Sequence, residues 1–343
     1  MGTHQSNRGI SLAQILSVGF RPLPQTPPFR PTTSAGSIVA ALPNLLTGGS
    51  SNDLPWPTMT SLIYFDPDEL GKGRYFEIDD TLVAEDGRSY SLGDWIARGG
   101  NGSVFRCVER SSGTEYAIKF LMQPRGRILK RFYREVRLLK ELQHEHIVRY
   151  RGTGRTRHSG GTRGLRCPFL IMELADSSLS DIASKSRIPP EIYVGQFRGL
   201  ARGLANLHAK AIHRDIKPEN ILVSGDRWLL SDYGLCRFSD RPELDITPSD
   251  QAIGPKYWLS PEAHNRRLGQ GDAICQASDV FQLASVFWYV ATGRHPCGLL
   301  TVDDWRGPAR LFEPIQRALQ HQKSRRPADG VAFAAAIEAA IDA

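Results

Sequence analysis

The chain has 343 residues, 41% of them hydrophobic, and carries a formal net charge of +7. That length and apolar content supply a sizeable core and exclude a wholly disordered chain, while no apolar stretch is long enough to span a bilayer. The five cysteines, Cys107, Cys167, Cys236, Cys275 and Cys297, are odd in number and scattered. They argue against a disulfide framework or a zinc module and fit a reducing, cytoplasmic compartment.

Prolines 22, 24, 27, 28, 31 and 43, set among Ser, Thr and Gly, predict an extended, largely disordered extension over residues 1–72. Within it Ile10 to Phe20 leans apolar, but Gln14 interrupts the run and no cleavage site of a signal peptide follows. Met1-Gly2-Thr3-His4-Gln5-Ser6 fits an N-myristoylation pattern. One acyl chain binds marginally, so the membrane association expected of an acylated Gly2 is weak. Asp86-Gly87 lies between β-favouring runs and predicts a hairpin over 73–90 that leads into a domain over 91–341.

Ala97-Arg98-Gly99-Gly100-Asn101-Gly102-Ser103-Val104 is a glycine-rich turn, which alone marks an ordinary hairpin. After Ser111-Ser112-Gly113, the strand-like Tyr116-Ala117-Ile118-Lys119 ends an apolar run on a lysine. Glu135 follows, with Leu138, Leu139 and Leu142 at helical spacing, so its helix has a buried side. Arg155, Arg157, Arg163 and Arg166 make a basic glycine-rich loop that reads as solvated surface, with no specific nucleic-acid contact implied. Phe169-Leu170-Ile171-Met172-Glu173-Leu174-Ala175 is a buried strand and, taken by itself, any core strand.

Chemistry concentrates in His213-Arg214-Asp215-Ile216-Lys217-Pro218-Glu219-Asn220 and in Asp232-Tyr233-Gly234. Asp215 can take a proton from a hydroxyl, Asn220 can hold a metal, Asp232 can bridge a metal to phosphates, and the Lys217 ammonium can reach a phosphoryl group in transfer. Ser260-Pro261-Glu262, Ala277-Ser278-Asp279-Val280-Phe281 and Arg325-Arg326-Pro327-Ala328 complete the series, with a central helix expected from Asp279 through Thr292.

In this order the motifs resemble the eukaryotic-type protein kinase family, closest to its serine/threonine branch. The resemblance implies an α+β, two-lobed fold. Its small β-rich N-lobe, about 91–174, would carry one key helix, and a larger, mostly helical C-lobe would occupy about 175–341. It implies ATP and Mg²⁺ as cofactors and a protein substrate as partner. Gly99, Gly100 and Gly102 would bring backbone N–H groups against phosphate, with Ala97 where the family has its first glycine. Val104, Ala117 and Leu222 would line the nucleotide, and backbone around Glu173 and Ala175 would meet the adenine, with Met172 gating the space behind it. Lys119, fixed by Glu135, would hold the α- and β-phosphates. Asp215 would be the base, Lys217 would steady the transferring group, and Asn220 and Asp232 would hold two magnesium ions. His213, Asp279 and a buried Glu262–Arg326 pair would be structural. Arg214 would pair with an activation-loop phosphate, for which Thr247 and Ser249 are the candidate acceptors ahead of Ser239. The acidic Asp240, Glu243, Asp245 and Asp250 are the competing source of that charge.

Several positions depart from the family pattern. Pro255 and Trp258 occupy the positions of a family threonine and tyrosine, which is reminiscent of tyrosine kinases, whereas Lys217 is the serine/threonine signature. Serine/threonine specificity is expected and dual specificity stays open. Tyr233 stands for phenylalanine, and the stretch from Asp279 to Arg326 is short for the family. A nucleotide-binding scaffold without activity is the first alternative, against which Lys119, Glu135, Asp215, Asn220 and Asp232 are all present. A small-molecule kinase is the second, against which stand Glu262 and Arg326.

Overall fold

A computed structural model describes residues 60–64, 75–99, 102–156, 166–239, 257–270 and 272–343. The smaller lobe is built from strands β1 (Thr60–Tyr64), β2 (Tyr75–Asp79), β3 (Thr81–Val83), β4 (Ser89–Arg98), β5 (Ser103–Glu109), β6 (Glu115–Phe120), β7 (Tyr150–Arg155) and β8 (Pro168–Met172), with helix α1 (Gly126–Glu141). Along β5 buried and half-buried residues alternate, the period-two signature of a strand with one face on a core. The main sheet has the order β3-β4-β5-β6-β8-β7 and is antiparallel throughout. Helix α1 carries its apolar residues on one side, Phe132, Val136, Leu138 and Leu139, and the sheet and larger lobe bury them.

The expected disorder of residues 1–72 does not hold at Thr60–Tyr64. This run pairs in antiparallel register with Tyr75–Asp79, from Thr60 opposite Asp79 to Tyr64 opposite Tyr75. The proline and serine content of the wider segment masks a local β-favouring sequence, Thr-Ser-Leu-Ile-Tyr. Ile63 and Ile78 of this hairpin join Phe105, Phe120 and Phe169 in a second apolar cluster, and the Tyr64 and Phe105 rings meet edge to face at 5.2 Å. The turn at Asp86-Gly87 joins β3 to β4, with Gly87 at φ +84° and its N–H on the Ala84 carbonyl at 3.0 Å. Because β4 continues to Arg98, this turn sits at the edge of the main sheet itself, and a boundary at residue 91 would cut through a strand. Each isoleucine buried in the cluster is worth roughly 1.5–3 kcal/mol. Removing residues 1–80 is therefore expected to lower the Tm by more than about 5 °C and to raise dye binding to exposed apolar surface, whereas removing residues 1–58 is not. Equal melting of the two truncated chains would show that the hairpin adds nothing to the lobe.

The larger lobe holds β9 (Ser177–Ser178), α2 (Leu179–Lys185), α3 (Pro190–His208), β10 (Ala211–Ile212), β11 (Ile221–Ser224), β12 (Arg227–Leu230), β13 (Arg237–Phe238), α4 (Pro261–Arg267), α5 (Gln276–Thr292), α6 (Phe312–Ala318) and α7 (Gly330–Asp342). Helix α2 starts in a capping box, the Ser178 hydroxyl accepting from the Asp181 N–H at 3.1 Å. Helix α5 is buried almost all round and forms the lobe's centre, packing on α3, α6 and α7. Strands β9, β11 and β12 form a small sheet beneath the cleft, and β10 pairs with β13. Among the described residues no helix is long and apolar enough to cross a membrane. All five cysteines are free, and burial pushes the Cys107 and Cys167 thiols up to about 12.

Candidate active site

Strand β6 is interior to the sheet, and its register sets Lys119 opposite Val104 on β5 and Leu170 on β8. Its side chain turns toward α1, where Nζ donates to Glu135 Oε1 at 2.9 Å and Oε2 at 3.0 Å. A third carboxylate oxygen, Asp232 Oδ1, lies 3.2 Å from the same nitrogen. Burial opposes the charge on Lys119, but Asp232 and Glu135 outweigh it and hold its pKa above the ordinary lysine value. The Lys119 charge in turn keeps Asp232 below the usual carboxylate range. Burial pushes Glu135 upward against the pull of Lys119. Glu135 is nearly inaccessible, whereas the Asp232 side chain is 46% exposed and faces the cleft.

The loop after β10 is fastened from below. Asp279, at the first turn of α5, accepts from the backbone N–H of His213 at 2.6 Å and of Arg214 at 2.8 Å. His208 adds a third bond at 3.0 Å. The Gly330 N–H donates to His208 Nδ1 at 2.8 Å, so the proton His208 offers Asp279 is on Nε2. Gln282, one turn further along α5, accepts from the Ile216 N–H at 3.1 Å. With both flanks held, Arg214 takes φ +73°, a left-handed conformation that costs a non-glycine residue about 1–3 kcal/mol. Asp232 is likewise left-handed at φ +58°.

This anchoring presents Asp215 to the cleft. Asn220 Nδ2 donates to Asp215 Oδ2 and to its carbonyl, both at 2.8 Å, and Lys217 Nζ lies 3.5 Å from the same carboxylate. Burial raises the Asp215 pKa, partly offset by Lys217. His213 accepts from the Asp215 N–H at 3.3 Å on Nδ1 and therefore donates from Nε2 to the Ser231 carbonyl at 3.1 Å. Its ring lies 4.9 Å from that of Tyr233, whose phenol donates to the Leu230 carbonyl at 2.9 Å. Ser231 bonds the Asn220 carbonyl through both its N–H and its hydroxyl at 2.9 Å, tying the Asp215 loop to the Asp232 turn.

Above the cleft the glycine-rich turn is closed by the Gly99 N–H on the Gly102 carbonyl at 2.8 Å. A side chain at Gly102 would put Cβ 2.3 Å from the Phe120 carbonyl oxygen, so only glycine fits there. Ala97 is exposed and opposite Val104. Val104, Ala117, Met172 and Leu222 belong to one apolar cluster, with Ala117 opposite Met172 across the β6–β8 pair. Beyond Met172 the chain leaves β8 through Glu173, whose carboxylate pairs with Arg227, and Ala175 is half-buried in the connection between the lobes.

Glu262 and Arg326 form a two-pronged pair, Nη1 to Oε1 and Nη2 to Oε2, both at 2.9 Å. Arg326 also donates to the carbonyls of Gln320, Ala277 and His321, and its guanidinium lies over Phe281. Burial works against an ionised Glu262, yet its bonds to Arg326 and Ser278 hold its pKa below the ordinary value. Arg326→Ala is expected to cost about 3–5 kcal/mol, because it strands a buried carboxylate. A lowered folded-state pKa means that this contribution is intact above the unfolded value and lost as pH falls through the lowered one. Urea unfolding of both proteins between neutral and acid pH should therefore show a gap that narrows on acidification. A gap independent of pH would remove Glu262 from the account.

Sequence reasoning missed His208, Gln282 and Ser231. Gln282 carried a signal, falling one helical turn after Asp279, but His208 is recruited only by the packing of α3 on α5. Gly2, Gly100, Thr247, Ser249 and Pro255 lie outside the described residues.

Among known sequences, the family model described as a protein kinase domain matches residues 90–326. A human serine/threonine-protein kinase/endoribonuclease is 31% identical over 225 residues, which is 61% of this chain and 22% of that protein. A serine/threonine-protein kinase of Myxococcus xanthus is 33% identical over 231 residues, 63% of this chain and 26% of that protein. One from Corynebacterium efficiens is 27% identical over 274 residues, 74% of this chain and 51% of that protein. The chain thus spans about half or less of the length of these relatives.

Proposed function

The chain belongs to the protein kinase family, and from that premise we propose that it transfers the γ-phosphoryl group of ATP to serine and threonine hydroxyls of protein substrates. The observation that carries this reading is the convergence of five polar side chains on one cleft, with Lys119 bonded to both Glu135 and Asp232 and Asn220 bonded to Asp215. In the proposed reaction the substrate hydroxyl oxygen bonds to the γ-phosphorus as the bond from phosphorus to the β–γ bridging oxygen breaks and ADP leaves. Asp215 orients the hydroxyl and accepts its proton. Lys217 faces the transferring group with positive charge, and Lys119 positions the phosphates. Positioning and electrostatics of this kind supply most of the acceleration in phosphoryl transfer.

The donor set suits a hard cation. Asn220 spends its amide nitrogen on Asp215, which leaves its side-chain oxygen to act as an acceptor, and the Asp232 carboxylate would be the other oxygen ligand. These two residues would hold Mg²⁺, which when bound neutralises phosphate charge. Among the described residues no group of three or more histidine, cysteine, aspartate or glutamate side chains is placed to hold a metal ion.

The test is a radiolabelled ATP assay with Mg²⁺ and a generic protein substrate, followed by phosphoamino-acid analysis. Label on serine or threonine is expected. Label confined to tyrosine would overturn the specificity, and ATP binding without label would favour a scaffold. We also infer autophosphorylation at Thr247 or Ser249, motivated by Arg214 beside the catalytic aspartate. The Thr247→Ala/Ser249→Ala protein is expected to lose most of its self-incorporated phosphate by intact-mass measurement, and unchanged stoichiometry with full activity would sink the idea.

A further inference from the structure

On the larger lobe two cavities, of about 310 and 370 Å³, meet at His295 and Cys297. The first is bounded by Tyr257 and Leu259, on the approach to α4. The second runs past the end of α5 to Arg187 and carries Arg294 and Arg306 on its wall. His295 fixes where this groove lies. Its ring packs, tilted, against that of Trp258 with centroids 4.3 Å apart, and it sits in the field of Glu219, the residue between Pro218 and the catalytic-loop Asn220. Helix α2, which ends just before Arg187, packs on that same turn. The groove therefore lies near the turn that carries Asn220, whose amide holds the Asp215 carboxylate.

Its charge is one-sided. Neither Arg187 nor Arg294 forms an ion pair among the described residues. Arg306 donates only to carbonyls of its own turn, Asp303 at 2.7 Å and Trp305 at 3.0 Å. Three guanidinium groups thus face a single carboxylate, Asp304, whose Oδ2 is already bonded to the Thr301 N–H at 2.9 Å and hydroxyl at 2.8 Å. Like charges gathered round one cavity oppose folding, so stability gives no reason for the arrangement. Leu299, 95% exposed on the rim, adds an apolar contact beside them.

We propose that this groove binds the acidic or phosphorylated flank of the protein segment whose hydroxyl enters the active site. The planar fork of arginine suits carboxylate and phosphate oxygens, and exposed guanidinium groups also steer an anionic segment from a distance. The proposal rests on the phosphotransfer reading and narrows its substrate class.

Serine peptides with three aspartates before the acceptor, three after it, or neutral residues on both sides separate the outcomes on the full chain. One acidic peptide is expected to exceed the neutral one in kcat/KM by about tenfold, with the advantage shrinking as salt rises. In Arg187→Glu/Arg294→Glu the ranking should invert, so that a lysine-flanked peptide overtakes the acidic one, an outcome misfolding cannot produce. Equal use of acidic and neutral peptides by the wild type overturns the proposal, as does an acidic preference that survives the charge reversal. Cys297 supplies a readout without catalysis, because it is the exposed cysteine while Cys107, Cys167 and Cys236 are buried. Maleimide labelling of Cys297 should slow with the acidic peptide and not with the neutral one. Selective shielding without any phosphoryl transfer would leave the groove standing and remove the phosphotransfer reading. Absence of shielding together with absence of preference removes the groove.

Discussion

Replacing Asp215 by asparagine is expected to lower phosphoryl transfer by about 10²–10⁴-fold, with the Tm close to that of the wild type. The substitution is nearly isosteric, and an asparagine oxygen can still accept the 2.8 Å bond that Asn220 Nδ2 makes to Asp215 Oδ2. What disappears is the proton acceptor and the charge that faces Lys217 at 3.5 Å. Because burial already works against an ionised Asp215, loss of that charge does not cost folding free energy. The pH profile supplies a second readout. Asp215 accepts a proton only when ionised, so wild-type kcat should be present above the raised Asp215 pKa and be lost as pH falls through it. The variant should lack that acid limb. Initial rates at saturating ATP over a pH series, with calorimetric ATP binding on both proteins, check the result. Full kcat in Asp215→Asn would remove Asp215 as the base.

The parts of the site legible in the sequence are those that lie in short local runs. Lys119, Asp215, Asn220 and Asp232 each sit where backbone geometry over a few residues decides their direction, as at the left-handed Asp232 and the turn that follows it. The Glu135 partnership was also legible, because the helical period of Leu138 and Leu139 fixes which side of α1 is buried. Elements that depend on packing between distant segments were not. His208 reaches Asp279 only once α3 lies along α5, and no pattern around His208 predicts that crossing. The β1–β2 hairpin was hidden for a different reason. Its strands are five residues each, separated by a longer connection, and a compositional average over 1–72 outweighed them. The arginine groove is the extreme case, since Arg187 lies between α2 and α3, Arg294 and Arg306 lie apart in the connection from α5 to α6, and the three share a wall only in three dimensions.

Asp279→Asn should behave differently from Asp215→Asn, with stability and activity falling together. The Asp279 carboxylate is fully buried and receives three donors, His213 N–H and His208 Nε2–H on Oδ2 and Arg214 N–H on Oδ1. An amide has one acceptor oxygen, and its NH₂ would be pressed against at least one N–H with no lone pair to offer. Hydrogen bonds to a charged group are worth about 1.5–3 kcal/mol each, so loss of one or two predicts roughly 2–5 kcal/mol by urea unfolding. The same bonds hold Arg214 at φ +73°. Once they weaken, Arg214 can relax to an ordinary backbone conformation and carry the adjacent Asp215 away from its place beside Asn220 and Lys217. The activity loss should then persist at low temperature, where the variant is fully folded by circular dichroism. A variant that melts early but regains wild-type kcat when cold would mean that Asp279 only supports the lobe. One that keeps wild-type stability would mean that the three donors find other partners, and the anchoring role would fall.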